Sequence, residues 1–493
     1  MIFPRKLNQL KKLEILIFLI ITHSFIHSQD YLDWAEKVAE SVMMRNPDVY
    51  NNGNWDYVTG TVLRGFQELW YETGKEKYFN YIKSTVDFSV RNDGSIKGYN
   101  ITEYNLDEIN EGRIVLFLYE ETGDSRYKKA ADLLRKQLKD QPRTSDGGFW
   151  HKERYPYQMW LDGLYMASPF YAYYGKLFNE PENFDDVVLQ LSLMEKHARD
   201  TETGLLYHGW NETKEQDWAN DVTGCSSEFW GRAIGWYSMA LVDVLDYLPV
   251  DYTLRDSVIH IFQRLSIALK NFQDDSIGVW WQVVDKAGWE GNYPEASASC
   301  MFVYSLAKGI RLGYIDKKKF LPVVKKGFEG ILKEFVVENQ DGSITLTKIC
   351  KTAGLGGYGR DGSYEYYVSK TDIVDNDGKG IGPFITGCIE LARLFSFEPV
   401  DKNGNIPYEF ELNVYPNPFN NVLEISFSIP EDGYVSLDLY DILGRKVQNL
   451  FSGKKRMGEY EFNFIDQGLS TGVYFCLLKS GNSRIVKKIT LLK

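Results

Sequence analysis

Two segments of the chain set titratable side chains among aromatic rings. In Gln158-Met159-Trp160-Leu161-Asp162-Gly163-Leu164-Tyr165-Met166, Asp162 is the one carboxylate in an otherwise apolar and aromatic run. Burial there disfavours the charged form, so the carboxyl is expected to hold a proton near neutral pH and act as a general acid. The competing reading is a helix N-cap, a common place for Asp. Asp107, in Asn105-Leu106-Asp107-Glu108-Ile109-Asn110 ahead of a helical run, faces the same choice. His208, in Tyr207-His208-Gly209-Trp210, follows a glycine turn that places it on the same loop face as Asp162; a lone His is also frequent as a structural residue. Arg232 and Trp236, in Phe229-Trp230-Gly231-Arg232-Ala233-Ile234-Gly235-Trp236-Tyr237, join a cation to large rings. Such an arginine either grips a substrate carboxylate through two parallel hydrogen bonds or packs on aromatics in the core. Glu295 and Ser297 read as the polar start of a helix.

Other chemistries are missing from the pattern. There is no G-x-x-x-x-G-K-[ST] loop, no H-E-x-x-H pair and no G-x-S-x-G elbow, and the glycine-rich stretch from Gly354 to Gly359 has no phosphate-loop lysine. Cys225, Cys300, Cys350, Cys388 and Cys476 are widely spaced, without a C-x-x-C pair, and read as packed thiols. No metal or cofactor is expected. With 56 Lys plus Arg against 68 Asp plus Glu, the net charge of -12 argues against a nucleic-acid partner. The 15% aromatic content, with 12 Trp and 33 Tyr, suits sugar rings as well as cores.

The elements that must position these residues show two periods. From about residue 30 to 397, apolar residues recur at helical spacing, as in Val62, Phe66, Leu69 and Trp70. A glycine turn recurs at Gly94, Gly147, Gly204, Gly278 and Gly342, and a Thr-Gly phrase followed by Lys-Tyr or Arg-Tyr recurs at Gly74 and Gly123. Units of this size, each holding two helices, predict a helical-hairpin repeat. Closure into an α/α toroid is favoured over an open solenoid, because the aromatic and acidic residues cluster in loops that a ring would bring to one face. Residues 398–411 form a turn-rich linker, and residues 412–493 alternate with period two, as in Leu423, Ile425, Phe427 and Ile429, predicting a small C-terminal β-sandwich. At the other end, Arg5, Lys6, Lys11 and Lys12 precede an apolar run from Ile15 to Ile21, so residues 1–28 read as a signal peptide, the run being too short for a transmembrane helix.

Two resemblances follow from ordered motifs. Val414-Tyr415-Pro416-Asn417-Pro418-Phe419, Leu439 to Arg445, Leu469 to Tyr474 and Lys487-Lys488 resemble a type IX secretion sorting domain, implying export through periplasm and outer membrane to the cell surface or medium. The run Asn105 to Gly112, Gly147 to Lys152, Met159 to Met166, His208-Gly209-Trp210, Trp230-Gly231-Arg232 with Gly235-Trp236, and Arg360 to Tyr367 resemble the unsaturated rhamnogalacturonyl hydrolases, glycoside hydrolase family 105. That resemblance implies a mainly α fold, a six-hairpin (α/α)6 toroid. It matches Asp162 to the general acid and base and Asp107 to a second acidic residue that helps hold water or substrate. It matches His208, Arg232 and Trp236 to the subsite for an unsaturated uronic acid, and Lys152, His151 and Trp160 to the adjoining wall. Tyr57 and Trp210 join them as substrate-binding residues. Ala233-Ile234 departs from the glycine or asparagine common beside that arginine.

The implied reaction removes a non-reducing-end 4,5-unsaturated uronic acid by hydrating its double bond, without cofactor. The implied substrates are pectic rhamnogalacturonan fragments, with ulvan fragments bearing sulfated rhamnose as the alternative; Lys152, a cation near the second sugar, suits either. A non-catalytic glycan-binding toroid and a polysaccharide lyase are the other classes to separate.

Overall fold

The computed structural model describes residues 30–396 and 409–492, apart from 358, 421, 432, 456, 466–468 and 482. The signal peptide expected over 1–28 and most of the linker expected over 398–411 lie outside the described residues. The chain divides into two compact units between Leu394 and Phe395.

Among the described residues the first unit carries twelve α-helices: α1 (30–45), α2 (Tyr57–Thr73), α3 (Glu76–Ser89), α4 (Gly112–Thr122), α5 (Ser125–Asp140), α6 (Leu161–Phe178), α7 (Glu182–Ala198), α8 (Gly231–Val244), α9 (Arg255–Asn271), α10 (Ala296–Arg311), α11 (Lys317–Phe335) and α12 (Gly378–Ser396). They form six hairpins closed into an α/α toroid, and composition sorts the layers. Every residue of α8, and Ala296 to Ile310 of α10, is buried, the mark of a helix apolar all round and packed on all sides. On α5, by contrast, the buried residues Tyr127, Ala130, Ala131, Leu134, Gln137 and Leu138 make one stripe, and charged residues fill the rest. The even-numbered helices are thus the inner ring and the odd-numbered ones the outer layer.

The inner ring closes where α12 meets α2. A Cβ on Gly382 would stand 2.4 Å from the Thr61 carbonyl oxygen, so glycine is what lets these backbones approach. The five repeated turn glycines adopt φ between +75° and +97° and sit where an outer helix hands over to the next inner one. The repeat legible in the sequence therefore lies at the end of the ring where the inner helices begin. Three short antiparallel pairs dress the same links: β1 (Gln158–Trp160) with β2 (Gly209–Asn211), β3 (Val336–Glu338) with β4 (Ile344–Leu346), and β5 (Ile349–Cys350) with β6 (Ile373–Val374).

The second unit holds β7 (Glu411–Tyr415), β8 (Val422–Ile429), β9 (Gly433–Asp441), β10 (Lys446–Lys455), β11 (Gly458–Ile465), β12 (Gly472–Ser480) and β13 (Ser483–Leu491). They build a four-stranded sheet, β10-β9-β12-β13, and a three-stranded sheet, β11-β8-β7. The alternating residues of β8 and β9, among them Leu423, Ile425, Phe427, Val435, Leu437 and Leu439, meet in one core with Cys476. This is the sandwich that the period of two requires. All five cysteines are buried and unpaired.

Candidate active site

The six inner helices begin at one end of the ring, and each start carries a polar side chain. Tyr57 opens α2, Asp107 lies in a 3-10 turn (Leu106–Ile109) just before α4, and Asp162 and Arg232 stand in the first turns of α6 and α8. Glu295 is the N-cap of α10, accepting from the Ala298 amide at 2.7 Å, and Lys379 stands in the first turn of α12. Helix N-termini gathered this way concentrate positive potential, a setting suited to an anionic sugar.

Backbone bonds stitch the carboxylate-bearing loops together. The Leu106 amide donates to His151 O at 3.1 Å, the His151 amide to Gln158 O at 2.8 Å, and the Leu161 amide to His208 O at 3.0 Å. Asp107, His151, Asp162 and His208 are thereby brought into one patch. Neither carboxylate is a helix cap. Trp160 occupies the N-cap of α6 without a side-chain bond, and Asn105 caps the 3-10 turn by accepting from the Asp107 amide.

The two carboxylates have different surroundings. Asp107 receives Lys152 Nζ at 2.5 Å and stands 3.4 Å from His151 Nε2. Burial opposes its charge, but Lys152 and His151 outweigh that effect and hold the carboxyl below its ordinary range, so it is ionised. His151 is buried, which brings its imidazole down to about 4 and leaves the ring neutral at pH 7. It can approach α6 because residue 163 is glycine: a Cβ there would lie 2.9 Å from His151 Nδ1. Asp162 Oδ2 stands 3.0 Å from His208 Nε2, a close contact without hydrogen-bond alignment, and both atoms lack a hydrogen-bond partner. On the far side of the ring, His208 Nδ1 shares a 2.7 Å hydrogen bond with the Tyr367 hydroxyl. Burial, reinforced by Tyr366 and Asp162, pushes that hydroxyl well above its ordinary pKa, so it stays protonated.

Most of the other expected residues border this patch. Trp160 stacks on His151 at 4.4 Å and on Tyr155 at 4.9 Å and meets His208 edge-on at 5.5 Å. Burial and Asp107 push the Tyr57 hydroxyl pKa up, against the opposing Arg232. Its ring meets Trp236 edge-on, and Trp236 stacks on Tyr165 at 4.9 Å. Arg232 is 1% exposed: its guanidinium lies over Trp230 at 4.6 Å and donates to the carbonyls of Cys350 and Lys351. The structure therefore commits at least two Arg232 donors to backbone.

Two expectations change. Lys152 is engaged by Asp107 and is not a free cation for a second sugar. Trp210 is not in the patch. It pairs with Met159 across the β1–β2 ladder, stacks on His197 at 3.8 Å and donates its indole N–H to Thr223 O. Sequence reasoning also missed three residues. Tyr367, from a π-helical turn (Tyr366–Lys370), is separated from His208 by 159 residues, and only its place in the Arg360 to Tyr367 motif pointed to it. Asn110 donates to Tyr57 O at 2.9 Å and Thr61 Oγ1 at 3.0 Å, fixing Tyr57 to the Asp107 segment. Lys379, 2.7 Å from Asp377, carried no local signal.

Residues 34–395, the whole helical unit, match the description Glycosyl Hydrolase Family 88. The chain belongs to that family. A solved structure described as a glycoside hydrolase from family 105 of C. acetobutylicum ATCC 824 is 44% identical, covers 72% of this chain and 98% of its own, and superposes with a TM-score of 0.70. The unsaturated rhamnogalacturonyl hydrolase YesR of Bacillus subtilis is 29% identical over 53% of this chain and 74% of its own length. An unsaturated 3S-rhamnoglycuronyl hydrolase of Formosa agariphila is 26% identical over 38% of this chain and 48% of its own length. Residues 413–492 match the secretion system C-terminal sorting domain. The protein is thus a glycoside hydrolase of the family 88 and 105 group with a sorting domain behind it.

Proposed function

We propose that this hydrolase removes the 4,5-unsaturated uronic acid from the non-reducing end of lyase-generated oligosaccharides, with rhamnose as the adjoining sugar. The observation that carries the reading is the Asp162–His208 contact, a buried carboxylate oxygen and ring nitrogen 3.0 Å apart and both unpartnered, at the meeting point of the inner helix N-termini. The carboxyl of Asp162 gives its proton to C4 of the vinyl ether, and positive charge develops at C5 and the ring oxygen. Water adds to C5 and returns a proton to the Asp162 carboxylate, so one group acts as acid and then as base. The hemiketal opens to a C5 ketone, and the C1 hemiacetal expels the adjoining sugar. The net change is one water consumed and one glycosidic C–O bond broken. The Tyr367 hydroxyl shares its hydrogen bond with Nδ1, which leaves the His208 Nε2 facing Asp162. Ionised Asp107, braced by Lys152, is the acceptor that orients the water or a sugar hydroxyl.

Rhamnogalacturonan disaccharides are the leading substrates, with sulfated-rhamnose fragments as the second reading, favoured by the likeness to the Formosa agariphila protein. The sorting domain supports export by type IX secretion to the cell surface or medium. No helix of the described residues is long and apolar enough to cross a membrane. The test incubates the protein and Asp162→Asn with rhamnogalacturonan-lyase and ulvan-lyase digests. Loss of the conjugated double bond's ultraviolet absorbance with the parent alone supports the reading. A gain of absorbance would mean a lyase. No change on either digest would leave a binding protein or another uronide.

A further inference from the structure

Beside the Asp162 patch, Trp160, Trp218 and Leu355 form a small buried cluster flanked by Tyr155. Two donors at this wall are uncommitted. Trp218 is 4% exposed, yet its indole N–H has no acceptor. A buried donor left this way calls for a partner. Arg360 makes no ion pair among the described residues, and the neighbouring carboxylates Asp361 and Glu365 are taken by Lys370 at 3.9 and 3.6 Å.

One glycine-rich stretch lies against both groups. Arg360 Nη1 and the six-membered ring of Trp160 lie 3.4 and 3.5 Å from the point a Cβ on Gly354 would occupy, and Trp218 Nε1 lies 3.5 Å from the same point on Gly356. The Gly356 amide donates to Arg360 O at 2.8 Å, which ties these two residues together. Arg154, exposed and 5.2 Å over the Tyr155 ring, adds a second cation on that side. Gln216 Oε1, 3.8 Å from the same Gly356 point, offers an acceptor beside them, but Arg360 and Arg154 are both cations. A neutral sugar hydroxyl makes no use of that charge, whereas an oxyanion does, and a guanidinium fork matches its geometry.

We propose that Arg360 and the Trp218 indole N–H bind an oxyanion carried by the sugar chain beyond the unsaturated uronic acid. The anion is either a sulfate ester on the adjoining sugar or the carboxylate of the next uronic acid. The proposal rests on the oligosaccharide reading above and gives to Arg360 the part that Lys152 cannot take.

The test uses full-length Asp162→Asn, which leaves the ligand uncleaved, and follows tryptophan fluorescence. Three ligands are titrated: the neutral-rhamnose unsaturated disaccharide, its rhamnose-sulfated counterpart, and an unsulfated tetrasaccharide whose third sugar is a uronic acid. At least one anion-bearing ligand should bind about tenfold more tightly than the first, and which one does identifies the source of the anion. Adding Arg360→Gln should bring that ratio close to one, Trp218→Phe should cut it about threefold, and Arg360→Lys, which keeps the charge without the fork, should retain part of it. Salt should weaken the preference. A ratio near one in Asp162→Asn, or a ratio that survives Arg360→Gln in folded protein, overturns the proposal. If the parent fails to remove absorbance while the ratio behaves as described, the reaction assignment falls and this site stands.

Discussion

Two of the buried polar clusters in the helical unit are finished differently. Deeper in the ring, Asp243 on α8 accepts from Arg113 at 2.9 Å, from Lys308 at 2.7 Å and from Tyr304 at 2.5 Å, so both carboxylate oxygens are satisfied. Burial opposes its charge, but Lys308 and Arg113 outweigh that and hold the carboxyl far below its ordinary range. Eleven residues back along α8, about 16 Å at 1.5 Å per residue, lies Arg232 at the edge of the other cluster. There, Asp162 Oδ2, His208 Nε2 and His151 Nδ1 remain without partners. The lower cluster supports the upper one: Arg113 donates to the Tyr165 hydroxyl at 2.7 Å, and Tyr165 stacks on Trp236. A carboxylate satisfied on both oxygens fixes a shape, although Arg113 Nε beside it has no partner, and a carboxylate left open is available to a substrate.

The comparison breaks most visibly at the two aspartates. Asp162→Asn should lower kcat by about 10⁴-fold, the upper end for acid–base catalysis because one carboxyl serves both steps. Its unfolding free energy should stay level or rise, since active-site polar groups are held at a cost to stability. Asp243→Asn should do the reverse, losing about 3–5 kcal/mol of stability by leaving Lys308 and Arg113 short of their buried counter-charge. Denaturant titration and absorbance kinetics on both variants check the pair. Matching losses of activity and stability in either variant would erase the distinction.

The next effect is a pH dependence inside the upper cluster. The folded-state pKa of His151 is about 4, against an ordinary value of 6.5. Because the folded value is the lower one, the unfolded chain binds the proton first. Stability is therefore full above about pH 6.5 and falls as pH drops toward 4, by about 3 kcal/mol for this group. His151→Gln should be less sensitive to acid over that window by the same amount, measured as the difference in unfolding free energy between pH 7 and pH 4. Equal slopes for variant and parent would mean that the ring is already charged in the folded protein.

How much of this was legible in the sequence follows from what each feature depends on. The toroid and the sandwich rest on local periodicity and turn chemistry, and the repeated glycines mark the end of the ring where the site lies. Asp162 and His208 could be singled out because an isolated polar residue in an aromatic run stands out locally, whereas Asp107, among Asn105, Glu108 and Asn110, was marked by the motif resemblance. Tyr367 could not, since it reaches His208 only through closure of the fold across 159 residues. The roles of Lys152 and Arg232 turn on which partners already occupy their donors, and no spacing encodes that. Tyr367→Phe tests the long-range element: kcat/KM should fall about tenfold, the scale of one hydrogen bond to a working histidine, with its pH profile shifted because the ring tautomer is no longer set. An unchanged pH profile would reduce Tyr367 to packing.

The smallest effect is expected at Trp210, and it sharpens the boundary between the two kinds of cluster. Its ring belongs with the saturated kind: it lies flat on His197, whose Nε2 is 2.7 Å from Asp146 Oδ2, and its indole N–H is bonded to Thr223 O at 3.1 Å. Across the β1–β2 ladder it is opposite Met159, one residue away from the Trp160 position that borders Asp162. Alternation along a strand sends neighbouring side chains to opposite faces, so Trp210 and Trp160 lie on different sides of the pair. Trp210→Phe keeps the stack and removes the indole N–H. It should cost about 1 kcal/mol of stability, the net worth of one hydrogen bond, and change kcat/KM by less than about twofold. A tenfold fall in kcat/KM at unchanged stability would extend the substrate-binding surface across the ladder and place Trp210 with Asp162 and His208.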